Sequence, residues 1–319
     1  MFFIIIPLFM VILIGYGYGR LKPESRQADK LINDYVLYIA LPALLFIAVA
    51  QAEVRDLKRW TFILPVLAGV CTTYILGILI ARGNRVKFPQ SSLIGMGACY
   101  GTTGYMGVPL LISVYGEQAM LPAAIATVLH NIPAIMAVII SWDLYSQRQG
   151  KTAISFMHSA RGAAVTIIKN PLTIAVVSGG VFASGNIEVP VFLAAFARFL
   201  GNAAGPTALF ALGLGLSRLD LRKPLQFPGL KLVFPLVVLK LIIQPLITFI
   251  VAVYLVPGAQ EQQIWLAGAL VMAAQPIGAG VFVFAKKDNY SQDVIALSIM
   301  ISLLLSMVTM PLLLRWLAG

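Results

Sequence analysis

Acidic residues are scarce, 12 Asp and Glu in 319 residues, and charged residues of both signs make up only 11 % of the chain. Soluble domains usually carry about 25 % charge. A soluble enzyme, a disordered tail and a collagen-like fibre are thereby excluded. Asp34 alone of the twelve acids enters an apolar run, near its end. Without a central carboxylate pair, a cation–proton antiporter lacks its exchanging group. The chain has two cysteines, Cys71 and Cys99, both inside apolar runs and without metal-ligand spacing. They read as small buried thiols, with no disulfide framework. No HExxH or GxSxG pattern occurs. The expectation is a protein that is not an enzyme and needs no catalytic residue, cofactor or metal. The opening Met1-Phe-Phe-Ile-Ile-Ile-Pro7 lacks a basic stretch and a small-residue cleavage site, so it reads as a retained helix rather than a signal peptide.

Apolar residues supply what charge does not: they are 60 % of the chain, and mean hydropathy is +0.91. At about 20 residues per crossing, the chain holds about ten spans. The apolar runs are Phe2–Tyr18, Leu31–Gln51, Trp60–Ala81, Ser91–Tyr115, Gln118–Trp142, Pro171–Ser184, Val191–Ser217, Leu230–Val256, Gln263–Ala285 and Val294–Leu317. Of the 23 Lys and Arg, 17 fall in the odd-numbered loops and four on the opposite side, with Arg198 and Lys240 inside spans. Basic loops face the cytoplasm. The bias therefore places both termini outside the cytoplasm, in the cell inner (plasma) membrane, and makes the basic excess a topology signal rather than a nucleic-acid footprint.

The two halves resemble each other. Offset by 164, Pro42-Ala-Leu-Leu-Phe46…Asp56-Leu57 lies against Pro206-Thr-Ala-Leu-Phe210…Asp220-Leu221. Offset by 170, Pro65 meets Pro235, and the glycine-rich middles of spans 4 and 9 follow at nearly the same spacing. Five spans per copy force the second copy upside down. The domains expected are 1–142, a first five-helix repeat; 143–169, a cytoplasmic linker; and 170–319, the inverted second repeat.

Span 4 contains Gly101, Gly104, Gly107 and Pro109; span 9 contains Gln275, Pro276, Gly278 and Gly280. Matched glycine and proline interruptions in two inverted halves point to a transport site near the midplane. Close helix packing accounts for Gly95 and Gly97, but not for the matched prolines. Free amides at half-helix N-termini would suit an anion. Thr102, Thr103, Gly104, Tyr105, Asn131, Gln275 and Gly278 are the candidate substrate-binding residues, and Gly101, Gly107, Pro109, Pro276 and Gly280 the helix-break residues. Lys240, in mid-span, compensates helix-end charge or attracts the anion; a lysine satisfied by carbonyls is the structural alternative. His130 could couple protons or simply pack on a carbonyl. Arg198 reads as interfacial. His158 and the stretch 153–165 read as a solvated group and a surface helix in the linker.

Asn33–Phe46, Thr103–Leu110, Pro206–Gly215 and Gln275–Ala285 resemble motifs of the auxin efflux carrier family, and the resemblance runs through nearly the whole chain. It implies an all-α membrane protein: ten transmembrane helices in a 5+5 inverted repeat, with crossed broken helices 4 and 9. This is the fold of sodium–proton antiporters and bile-acid symporters. It also implies a scaffold of helices 1, 2, 6 and 7, a transport domain of helices 3–5 and 8–10, and an elevator working within a homodimer in membrane lipid. Where many relatives have Asn-Thr-Gly, this chain has Thr102-Thr103-Gly104, so one amide donor is absent. The function expected is secondary transport of a small organic anion, a carboxylate, by voltage-driven efflux or proton coupling. The alternative is a sodium-coupled organic-anion importer. An intramembrane enzyme and a passive channel are readings from other classes.

Overall fold

The computed structural model describes residues 2–22, 24, 28–148, 162, 165, 168–217, 230–256, 258, 263–287 and 292–318. His158 and nearly all of the stretch 153–165 lie outside them. Among the described residues the chain is helical throughout, with no strand and one isolated bridge. The first half contains α1 (Phe2–Leu21), α2 (Ala28–Tyr35), α3 (Leu41–Ala50), α4 (Val54–Leu57), α5 (Trp60–Gly83), α6 (Gln90–Cys99), α7 (Val108–Tyr115) and α8 (Met120–Arg148). The second contains α9 (Pro171–Ser184), α10 (Val191–Leu216), α11 (Leu230–Val238), α12 (Gln244–Ile250), α13 (Gln263–Ala273), α14 (Gly280–Lys287) and α15 (Gln292–Ala318). π turns join α2 to α3 (Val36–Ala40) and α11 to α12 (Leu239–Ile243), and follow α12 (Val251–Leu255). These wider turns were not legible in the apolar pattern.

Six helical stretches are long and apolar enough to cross a bilayer, and shorter apolar helices include Thr103–Tyr115, Pro171–Ser184 and Gln263–Ala273. The outer surface agrees. Leu13, Ile14, Val177, Phe192, Phe199, Phe234, Leu304 and Trp316 are all exposed, an apolar exterior that water would not tolerate. This is an integral membrane protein. Cys71 is exposed on that surface, which corrects the expectation that both thiols are buried; Cys99 is fully buried.

Local chemistry explains the helix ends. Asn170 caps α9 by accepting from the Leu172 amide at 2.9 Å, and Pro171 sits in the first turn, where no amide is needed. Internal prolines Pro65, Pro133, Pro206 and Pro311 are kept within continuous helices because neighbouring helices protect the freed backbone.

Between helices in lipid there is no water to expel, so close packing of small residues holds the bundle. The α1 backbone at Ile12 and Tyr16 presses on Gly213 of α10, and Gly15 presses on Phe210 and Leu214. Gly77 and Gly95 do the same between α5 and α6, as the packing reading of Gly95 requires. Gly213→Ala therefore drives a methyl into the α1 backbone and should cost ~1–3 kcal/mol. Thermal melting in lipid nanodiscs will show a drop of several degrees for Gly213→Ala and none for Gly17→Ala, whose added Cβ meets nothing within 4 Å.

Candidate functional site

α6 stops at Cys99 because Tyr100 turns extended (φ −79°, ψ 117°). Gly101 and Thr102 follow without helix, a π turn covers Thr103–Gly107, and Pro109 sits in the first turn of α7. In the other half α13 stops at Ala273, Pro276 has no amide to continue a ladder, and helix resumes at Gly280. Both expected breaks are present.

The breaks meet. The Thr102 amide donates to Pro276 O (2.9 Å) and the Gly278 amide to Tyr100 O (3.0 Å), which pairs Gly101 with Ile277 antiparallel. The Ile277 amide donates to Ser302 Oγ of α15 at 3.0 Å. Thr102 Oγ1 lies 3.2 Å from the carbonyls of both Pro276 and Ile277, which share its single proton. The amides of Thr102, Ile277 and Gly278 are thus occupied within the crossing, which leaves the first turn from Thr103 as the place for the free amides expected. Backbone buried in an apolar medium has to be paired, and the two segments pair with each other.

Space is set just as tightly. A Cβ on Gly278 would stand 2.6 Å from the Tyr100 ring, and one on Gly280 2.8 Å from Tyr100 Oη. A Cβ on Gly101 would stand 3.1 Å from Lys240 Cε, and one on Gly107 3.2 Å from Gln275 Cγ. Gly104 faces Leu41 and Thr127.

Lys240 is fully buried, and its Nζ donates to Ala273 O at 2.5 Å. Ala273 ends α13, so this carbonyl is among those a helix leaves without an internal partner, at the negative end of the dipole. A cation belongs at such a place, and no carboxylate is needed to hold it.

Several polar atoms here are buried without a partner: Thr103 Oγ1, His130 Nε2, Asn131 Oδ1 and Gln275 Oε1. His130 Nδ1 donates to Ala126 O at 2.8 Å, so the neutral ring presents a bare Nε2. Gln275 Nε2 donates to Val271 O at 3.0 Å, which fixes its free atom as the oxygen. The π turn bearing Thr103, Gly104 and Tyr105 touches Thr127 of α8 on one side and Gln275 on the other. The breaks thus bring together Gly101, Thr102, Thr103, Gly104, Gly107, Gln275, Pro276, Gly278 and Lys240; His130 and Asn131 extend the group along α8.

Sequence reasoning missed Ser302, although Ser298, Ser302 and Ser306 form a buried serine row at four-residue spacing in an apolar helix. It also missed Glu117, which pairs with Arg198 at 3.1 Å while Arg198 Nη2 donates to Gln51 at 2.9 Å. That cluster lines a cavity of about 310 Å³ at the end of the bundle bearing Glu53 and Asp56.

Residues 1–314 match the Membrane transport protein family. The chain belongs to it, the family of the auxin efflux carriers. The carrier is 30 % identical over 318 residues to the "Putative malonate transporter" of Rhizobium meliloti (strain 1021), covering 96 % of this chain and 92 % of that protein. It is 25 % identical over 319 residues to the "Uncharacterized transporter YfdV" of Escherichia coli (strain K12), at 97 % and 95 % coverage. It is also 25 % identical over 318 residues to the "Lysosomal cholesterol signaling protein" of Mus musculus, covering 93 % of this chain and 35 % of that protein. It is a membrane transporter, and the resemblance read from its motifs holds.

The two threonines separate structure from binding. Thr102→Val leaves the Ile277 carbonyl short of a donor and Pro276 O with the backbone amide alone, and should lower stability by ~1–3 kcal/mol. Thr103→Val removes a buried hydroxyl that has no partner and should leave the melting temperature unchanged or raised. Melting curves of both variants in the same lipid check the contrast.

Proposed function

We propose that the carrier moves a small organic anion, a carboxylate, by alternating access, with the anion held where the two breaks pair. The observation that carries this reading is the mutual pairing of two interrupted helices around a buried lysine. Irregular backbone at membrane depth survives only inside protein or beside a wet cavity, and in secondary transporters it builds the substrate site. The relative named for malonate supports a carboxylate. On this reading the described helices make ten crossings in two inverted halves, with helices 4 and 9 crossed. Helices 1, 2, 6 and 7 form the scaffold, helices 3–5 and 8–10 carry the site as an elevator, and two copies associate. Both termini lie outside the cytoplasm of the inner membrane.

The donor inventory bears on coupling. The Thr103 hydroxyl, the first-turn amides of Thr103 and Gly104, and the ammonium of Lys240 suit a carboxylate. Gln275 Oε1, Asn131 Oδ1 and the bare His130 Nε2 do not, unless a proton arrives on His130. This favours an anion travelling with a proton. Uncoupled efflux is the other driving mode, since expelling one negative charge gains ~2.3 kcal/mol per 100 mV, about a fiftyfold gradient.

A sodium-coupled import reading draws on one observation, the three unpartnered oxygens of Thr103, Asn131 and Gln275. Sodium would take these oxygens, but beside a fully buried lysine.

Proteoliposomes loaded with radiolabelled malonate and other short carboxylates test the assignment at set voltage, pH and sodium. Saturable carboxylate flux is expected, stimulated by a proton gradient, indifferent to sodium and reduced to background in Lys240→Met. No flux of any carboxylate at any voltage from folded protein would end the assignment; strict sodium dependence would select the import reading.

A further inference from the structure

A second set of buried polar groups lies behind the paired breaks and takes no part in them. Gln244 is fully buried, and neither its Nε2 nor its Oε1 has a partner. Thr248 is fully buried too, and its Oγ1 has none. With Lys240 these residues stand at four-residue intervals, and Ala252 continues the row. Across from them α5 offers Pro65, Gly69 and Thr73 at the same interval. The Thr248 hydroxyl lies against Gly69, and the Gln244 backbone carbonyl stands 3.3 Å from where a Gly69 Cβ would be. Thr73 gives its proton to Gly69 O at 2.7 Å and leaves Gln244 without help. Beyond the row, Pro65 and Ala252 line a cavity of about 10 Å³ with Arg59 and Trp265, the room one water needs.

A buried primary amide with neither end bonded is a rare and costly arrangement. Water is the ligand that cures it: small, both donor and acceptor, and making about three bonds when buried. A metal ion is a poor occupant, because Lys240 shares the row. Of its three N–H groups, Lys240 gives one to Ala273 O, so others remain for water. The titratable groups that interact with Lys240 are Cys99 of α6 and His130 of α8. Tyr74 of α5 is bonded to Ser92 instead, and α13 and the middle of α15 carry no titratable side chain. No carboxylate is in the row to trap a proton.

We propose that a chain of bound waters fills the seam between α5 and α12 and carries protons between Lys240 and the cavity beside Arg59 and Trp265. The ammonium releases a proton to the adjoining water, each water passes one onward past Gln244 and Thr248, and the last gives one to solvent at the part-exposed Arg59; the reverse transfer restores the ammonium. The seam meets the anion site at Lys240, and its test reads water alone, whatever the carrier transports.

Water-edited solid-state NMR of the full chain in lipid, with ¹⁵N-labelled lysine, tests this without any transport assay. The Lys240 Nζ signal, identified by its disappearance in Lys240→Met, is expected to draw polarisation from water within milliseconds. The transfer should slow severalfold in Gln244→Leu and in Thr248→Val. Thr248→Val removes only an unpartnered hydroxyl, so it keeps the test decisive should Gln244→Leu misfold. A wild-type signal that receives nothing from water, or equal transfer in wild type and Thr248→Val, would overturn the proposal. A density map of the wild type is expected to show water peaks within hydrogen-bond reach of the Gln244 amide; a seam closed by apolar contact would overturn it as well.

Discussion

Lipid offers no hydrogen bonds, and that constraint governs the centre of this protein. A helix interrupted there exposes amides and carbonyls that nothing outside the chain can satisfy. Two interruptions solve the problem jointly. Each supplies the other's partners, Thr102 to Pro276 and Gly278 to Tyr100, and the remainder falls to three side chains. Ser302 takes the Ile277 amide, Thr102 covers two carbonyls, and Lys240 covers the end of α13. Neither break would be tolerable alone. Their coexistence is therefore a physical requirement.

The same constraint explains the glycines. Among the described glycines, positive φ occurs at Gly116 and Gly258, away from the breaks. Gly101, Gly107, Gly278 and Gly280 are thus not there for unusual backbone angles. They leave room: for Lys240 to pass Gly101, for Gln275 to pass Gly107, and for the Tyr100 ring to cover Gly278 and Gly280. Pairing two segments at hydrogen-bond distance while seating three large side chains around them leaves no volume for a Cβ.

Much of this was legible in the sequence, and the reason is simple. Apolar runs and their interruptions are written one residue at a time. The sixth run, Pro171–Ser184, is a helix with those bounds, and both breaks fall among the glycines and prolines that announced them. What was not legible depends on who faces whom. Thr102 and Thr103 are adjacent and chemically identical, yet one closes the paired segments and the other has no partner. Arg198 finds Glu117 and Gln51 from distant segments. The pairing of the Thr102 amide was hidden for the same reason: its partner, Pro276 O, is 174 residues away.

The manner of contact between helices also bears on how the molecule would move. Under the proposed division, contacts inside each group include backbone on backbone. In the scaffold α1 presses on Gly213, and Gly179 of α9 would put a Cβ 2.8 Å from Phe46 O of α3; in the moving part Gly77 meets Gly95. Contacts between the groups use side-chain ends instead: Gly104 faces the tip of Leu41, and Gly205 faces the ring of Pro109. Backbone contacts lock register, because every carbonyl ridge must fall beside a small residue. Methyl and ring contacts forgive a slide, since one apolar end can replace another at little cost. The polar tie between the groups, Arg198 to Glu117, sits at a wet mouth with both side chains largely exposed, where an ion pair is worth little and water readily replaces it. Close packing within each body and exchangeable contact between them would suit the proposed sliding carrier.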